Sequence, residues 1–112
     1  MNNMYEGQYI INSFYAVDAD TEEQIMPDNR GYITVSAEQK ILFKALHKDG
    51  YADVNTLVIF AGDDPVKLQI NDNELYPFYV GAETQRGIGQ MRIYSIKALA
   101  DCKFYYEGIV CD

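Results

Sequence analysis

Apolar and polar residues alternate most cleanly from Val66 to Asn71, where Val66, Leu68 and Ile70 interleave with Lys67, Gln69 and Asn71. A period of two sends one set to a core and the other to solvent, as in an antiparallel strand with one wet face. Two further β segments follow, Met91 to Leu99 and Cys102 to Val110, expected to be joined by a tight turn at Ala100-Asp101. Val66, Leu68, Ile70, Ile93 and Phe104 are the predicted core of this part of the chain. Upstream, Gln8 to Val17 is rich in Tyr, Ile, Phe and Val and reads as one strand, and Gly31 to Val35 as another. Val54 to Ala61 is a continuous apolar run of the kind buried on both faces.

The segment Ser36 to His47 carries two patterns at once. Ser36 with Gln39 imitates a helical capping box, and Ile41, Leu42, Ala45 and Leu46 would share a helical face. As a strand, the same run divides into Ile41, Phe43 and Ala45 against Leu42, Lys44 and Leu46. The strand is the expectation, because every neighbouring element is β and a lone short helix would have to cover a sheet by itself.

Turn clusters separate these runs. Asp18 to Arg30 gathers Asp, Glu, Asn and Pro27, Lys48 to Asp53 contains Gly50, and Gly62-Asp63-Asp64-Pro65 forms a reversal. Asn71-Asp72-Asn73 marks another turn, and Leu75 to Val80 is a short strand whose Pro77 suggests a sheet edge. Gly81 to Gln90, with Gly81, Gly87 and Gly89 around Arg86, is expected to be an exposed, mobile loop. Eight short strands between such turns predict an all-β fold, a two-sheet β-sandwich or jelly-roll-like domain over residues 9–112. Residues 1–8 are expected to form an amino-terminal arm. A chain of 112 residues, 48% apolar, has the size of one domain and can bury roughly two-thirds of its unfolded surface without disulfides or metal.

Charge and composition exclude several functions. With 17 acidic against 9 basic residues and a net charge of −8, the chain lacks the Lys/Arg surface that phosphate-backbone binding requires, so no nucleic-acid partner is expected. No apolar run approaches the roughly twenty residues of a spanning helix, so no membrane partner is expected either. The first residues, Met1 to Glu6, have no basic run before an apolar stretch and do not read as a secretory signal. Cys102 and Cys111 lie nine positions apart on one strand-like segment, about 30 Å if extended, and read as free thiols.

Catalytic and metal chemistry find little to build on. The single His47 has no Cys nearby with which to bind metal and no Ser or Cys poised for activation, so no catalytic, metal or cofactor residue is predicted. Asp63 and Asp64 are adjacent on a turn, where neighbouring side chains point apart. Asp18-Ala19-Asp20-Thr21-Glu22-Glu23 offers four carboxylates in six residues but lacks the glycine and flanking helices of an EF-hand, and reads as a solvated acidic loop. Arg86-Gly87-Ile88-Gly89 contains a GxG outside any strand-to-helix context, so it is not a nucleotide motif. Ten Tyr and five Phe without Trp supply amphipathic contact area instead. Tyr105 and Tyr106 must face opposite sides of their strand, and an outward Tyr beside Arg92 or Lys103 would serve as an interface anchor.

From Val66 to Val110 the chain runs VKLQIND, YPFYVGAE, a Gly-rich stretch, MRIYSIKAL and CKFYYEGIV. This order resembles the carboxy-terminal half of small β-sandwich virion proteins of tailed bacteriophages. The matching residues are Ile93-Tyr94-Ser95-Ile96-Lys97-Ala98-Leu99 and then Phe104-Tyr105-Tyr106-Glu107-Gly108-Ile109. The resemblance implies a non-enzymatic structural or adaptor protein of the head, neck or tail, made in the host cytoplasm and carried in the virion. It implies docking on other virion proteins in multiple copies, with homo-oligomers in the assembly. Tyr5 on the arm, Arg86, Tyr94 and Tyr105 are the expected partner-binding residues. A carbohydrate-binding β-sandwich is the alternative, since exposed Tyr and carboxylates also suit sugars.

Overall fold

A computed structural model describes residues 9–11, 13–46, 48–89 and 91–111, without the side chains of residues 9–11 and 111. Among these the chain is all-β, with ten strands and no helix. The strands are β1 (Tyr9–Ile11), β2 (Phe14–Asp18), β3 (Ile33–Val35), β4 (Lys40–Ala45), β5 (Val54–Ala61), β6 (Val66–Ile70), β7 (Phe78–Val80), β8 (Gln85–Ile88), β9 (Ile96–Ala98) and β10 (Cys102–Cys111). They form two antiparallel five-stranded sheets packed face to face. One has the order β1-β10-β5-β8 with β3 also on β10, and the other the order β2-β4-β9-β6-β7. The expected β-sandwich is the fold observed.

Its core lies between the sheets. Ile33, Leu57, Ile59 and Phe104 of the first sheet meet Ile41, Val66, Leu68 and Ile96 of the second, all fully buried. Ile70 is buried as its alternation predicts, and Ile93 is buried as expected of the core. The stretch from Ser36 is strand where the pattern favoured it. Its capping-box look-alike closes a turn instead: Ser36 N–H donates to Gln39 Oε1 at 2.9 Å, and Gln39 N–H donates to the Ser36 carbonyl at 3.0 Å. The same local chemistry therefore serves a strand entry when the apolar face that follows has a sheet to join.

Six expectations are corrected. Gln8 to Val17 is not one strand but two, β1 and β2, in opposite sheets, with the polar Asn12-Ser13 pair between them in sequence. Met91 to Leu99 contributes only Ile96–Ala98 as strand, because Met91 to Ser95 crosses from one sheet to the other: Ile93 N–H donates to Val54 of β5 at 2.8 Å before β9 joins the second sheet. Ala100-Asp101 is not a hairpin turn, since β9 and β10 lie in different sheets. The connection is held by Leu99 N–H on the Lys67 carbonyl and by Asp101 Oδ1, which accepts from Ala37 N–H at 2.7 Å.

Val54 to Ala61 is buried on one face only. Val54, Leu57, Ile59 and Ala61 point inward, while Asn55, Thr56, Val58 and Phe60 are half-buried. The odd spacing between Val54 and Leu57 follows from a bulge: Ile109 pairs with Thr56 and Val110 with Val54, so Asn55 is the extra residue. Gly81 to Gln90 is not a loop throughout, because Gln85–Ile88 pairs with β5 as an edge strand, Leu57 opposite Ile88 through Phe60 opposite Gln85. Its glycines hid the strand, and a neighbouring edge with backbone groups to satisfy overrode their weak propensity. Gln69, expected in solvent, is only 8% exposed, beside Lys97 on β9.

Three aromatic rings stitch the sheets together. Phe14 of β2, Phe43 of β4 and Tyr106 of β10 meet with centroids 5.1 to 5.6 Å apart. The Tyr106 hydroxyl accepts from Ala16 N–H at 3.1 Å, so a side chain of one sheet satisfies a backbone donor of the other's edge strand. Gly108 makes room for this cluster: a Cβ there would lie 2.7 Å from the Thr56 carbonyl oxygen and 2.8 Å from Phe14 Cζ.

Candidate docking surface

Three connections converge at one end of the sandwich: residues 48–53 between β4 and β5, residues 71–77 between β6 and β7, and the crossing segment 91–95. Asn71 ties two of them. Its backbone takes φ +53°, a left-handed conformation that Asn tolerates better than most residues. Its Oδ1 accepts from Tyr94 N–H at 2.6 Å and Ser95 N–H at 3.1 Å, and its Nδ2 donates to the Arg92 carbonyl at 2.7 Å. Arg92 ties the third. Its Nε and Nη2 form a two-pronged pair with Asp53 at 2.8 and 3.1 Å, which raises the guanidinium pKa further.

On this frame stand large apolar side chains with little cover. Leu75 is 80% exposed, Tyr76 75%, Tyr94 64% and Met91 44%. Tyr76 and Met91 line a cleft of about 480 Å³ with Ile70, Phe78, Arg86 and Ile88. Tyr94 lines a second cleft of about 440 Å³ with Tyr51, Asp53, Arg92, Phe43 and Ile93. The two clefts flank the same crossing segment, Met91 on one side and Arg92 to Tyr94 on the other. Tyr51 is steadied from behind, its hydroxyl donating to Glu22 Oε1 at 3.2 Å and the Lys44 ammonium lying 5.6 Å from its ring centroid. Lys44 in turn pairs with Glu22 at 3.1 Å, and that contact holds the Glu22 carboxyl below its ordinary pKa.

The residues expected from the sequence to bind a partner are dispersed. Tyr94 lies at the centre of this end. Arg86 reaches it from β8 but is engaged within the molecule: its guanidinium carbon sits 4.5 Å from the Phe78 ring centroid, and its Nη1 donates to the Tyr79 carbonyl on β7 at 3.1 Å. It thereby bridges the edge strands of the two sheets. Tyr105 lies elsewhere, on the outer face of β10 against Phe60 and Tyr32, with its hydroxyl donating to Glu107 Oε2 at 2.7 Å. Tyr5 and His47 fall outside the described residues, as does any structure of the expected arm.

Sequence reading placed Tyr51 in a turn cluster and Leu75 and Tyr76 in a short strand, Leu75 to Val80, of which only Phe78–Val80 forms. For Tyr51 the signal was present, since a bulky apolar side chain inside a turn has no core to enter. Several carboxylates are absorbed in scaffolding. Asp18 Oδ1 accepts from Thr21 and Asp20 N–H and its Oδ2 accepts from Gln39 Nε2, which together lower its pKa and shape the acidic stretch as a turn. Asp28 accepts from Arg30 and Tyr32 N–H and pairs with Lys103 at 3.1 Å, holding its carboxyl at about 2. Burial, with help from Asp101, pushes the Cys102 thiol up to about 11, so it remains protonated.

No protein-family model and no curated protein matches the chain. Among solved structures it is similar to a chain described as "Peptidoglycan O-acetylesterase in action, 5 min", at 12% identity and a TM-score of 0.46, with 96% of this chain and 30% of that chain covered. The chain thus spans less than a third of that protein's length.

Proposed function

We propose that this chain is a non-enzymatic structural or adaptor module that docks, in multiple copies, on larger proteins of a tailed-phage particle. The observation that carries the docking role is the apolar group Leu75, Tyr76 and Met91, exposed on a frame fixed by Asn71 and Arg92. Exposed apolar area that is held rigid loses little entropy on association and gains the full benefit of burial. Carboxylates engaged in turns and ion pairs support a scaffold in preference to acid-base chemistry. The phage setting comes from the resemblance of the strand pattern between Val66 and Val110.

The test is incorporation. Quantitative mass spectrometry of purified particles should find the chain at a fixed ratio to the major shell protein. A Tyr76→Arg, Met91→Arg double variant should melt with the parent, since both side chains are exposed, yet be depleted from particles by about tenfold or more. Absence of the chain from particles, or full incorporation of the double variant, would overturn the proposal.

A further inference from the structure

The cleft beside the apolar group has a different chemistry. Its floor is apolar, formed by Phe43, Ala52 and Ile93, and its walls carry two tyrosines and one ion pair, Asp53 with Arg92. We propose that this cleft binds saccharide, seating a neutral sugar ring against Tyr51 and Tyr94 with its hydroxyls on Asp53 and Arg92.

Four features point to a sugar. The volume of about 440 Å³ lies within the roughly 300–1,000 Å³ of small-ligand sites. A pyranose has C–H faces that pack on aromatic rings and equatorial hydroxyls that both donate and accept. The paired carboxylate and guanidinium present an acceptor and a donor side by side, which suits adjacent hydroxyls. Arg92 uses Nε and Nη2 on Asp53 and also interacts with the Tyr94 side chain, so the ring and the ion pair form one continuous wall.

The rings are also held in place before any ligand arrives. Tyr51 is tied through Glu22 and Lys44, the Tyr94 backbone hangs from Asn71, and the Arg92 guanidinium carbon lies 6.0 Å from the Tyr94 ring centroid. Such preorganisation removes part of the ordering cost that makes sugar binding weak. The charge balance selects neutral sugars. Asp53 offsets Arg92 within the cleft, and the chain's net charge of −8 repels uronates and sialylated glycans. A proline-rich peptide also docks on aromatics, but it calls for an elongated apolar groove, whereas here the ion pair forms part of the wall.

This site does not rest on the particle-docking reading and is tested on the purified chain. Backbone amide shifts would be followed while neutral hexamers of glucose, galactose, mannose and N-acetylglucosamine, and separately a proline-rich peptide, are added up to roughly 10 mM. At least one sugar should give saturable shifts centred on residues 51–53 and 92–94. Tyr94→Ala and Asp53→Asn should each weaken that binding by about tenfold, while Tyr79→Ala, on the far edge strand, leaves it unchanged. Tyr94→Ala removes a side chain that is mostly solvent-exposed, so its fold serves as the control if Asp53→Asn loosens the end. The proposal fails if none of the four sugars shifts these residues saturably, if only the peptide does, or if Tyr94→Ala binds as the parent does.

Discussion

At the scale of single residues, Tyr106 does two jobs at once. Its ring fills the space between Phe14 and Phe43, and its hydroxyl accepts the Ala16 N–H at 3.1 Å. Tyr106→Phe would keep the ring and leave a buried backbone donor without its acceptor. We expect a loss of about 1–3 kcal/mol in denaturant unfolding with an unchanged m-value. A loss within experimental error would mean that Ala16 N–H finds water. Burial also raises the Tyr106 phenol above its ordinary pKa, so the hydroxyl stays neutral through the physiological range. The period-two pattern told that Tyr105 and Tyr106 face opposite ways, but not which faces in. That choice was set by β5, whose buried Ile59 and half-buried Phe60 pair with Tyr106 and Tyr105.

At the scale of elements, the connections determine the site and the strands determine the fold, and these two were not equally legible. The alternation of Val66–Ile70 could be read most directly, apart from the burial of Gln69, whereas Lys40–Ala45 also carried a helical pattern and was assigned from its β neighbours. Sheet changes could not be read so easily. An apolar run that leaves one sheet and enters the other stays apolar throughout, as from Tyr9 to Val17, and only the short polar pair Asn12-Ser13 marks the break. The same blindness hid the Met91 to Ser95 crossing, and with it the docking end. Tyr94 was named from the sequence as an expected partner-binding residue and is 64% exposed, whereas its supports, Asn71 and Asp53, are distant in sequence and carry no local signal. Asn71 offers the sharpest check. Asn71→Asp retains both acceptor bonds to Tyr94 and Ser95 and loses only the donor bond to the Arg92 carbonyl, whereas Asn71→Ala loses all three and keeps the left-handed backbone. We expect the alanine variant to lose about 2–4 kcal/mol and the aspartate variant about half as much, read by thermal melts. Equal losses would show that Nδ2 alone carries the contact.

At the scale of the whole molecule, acid should weaken the fold through the turns rather than the core. The Asp28 carboxyl titrates at about 2 in the folded chain against an ordinary 3.8, held down first by the Tyr32 and Arg30 amides and then by Lys103. Its folded value is the lower of the two, so its contribution is present above the unfolded value and disappears as the pH falls through about 2. Asp18 and Glu22 are shifted in the same direction. The urea midpoint should therefore be level near neutrality and fall between about pH 4 and about pH 2, and Asp28→Asn should flatten that fall. An unchanged acid limb in the variant would assign the fall to the other carboxylates. The strand order has a further consequence for how the chain reaches this state during synthesis. Tyr9 of β1 pairs with Cys111, and β3 and β5 also pair with β10, so three strands made early share a partner made after them all. Until β10 emerges, the first sheet has no centre, and β1, β3 and β5 expose open edges on the ribosome. The second sheet can pair before β10 is made, but the first closes only in a late step, with a window for association between nascent copies that ends when β10 slides into place.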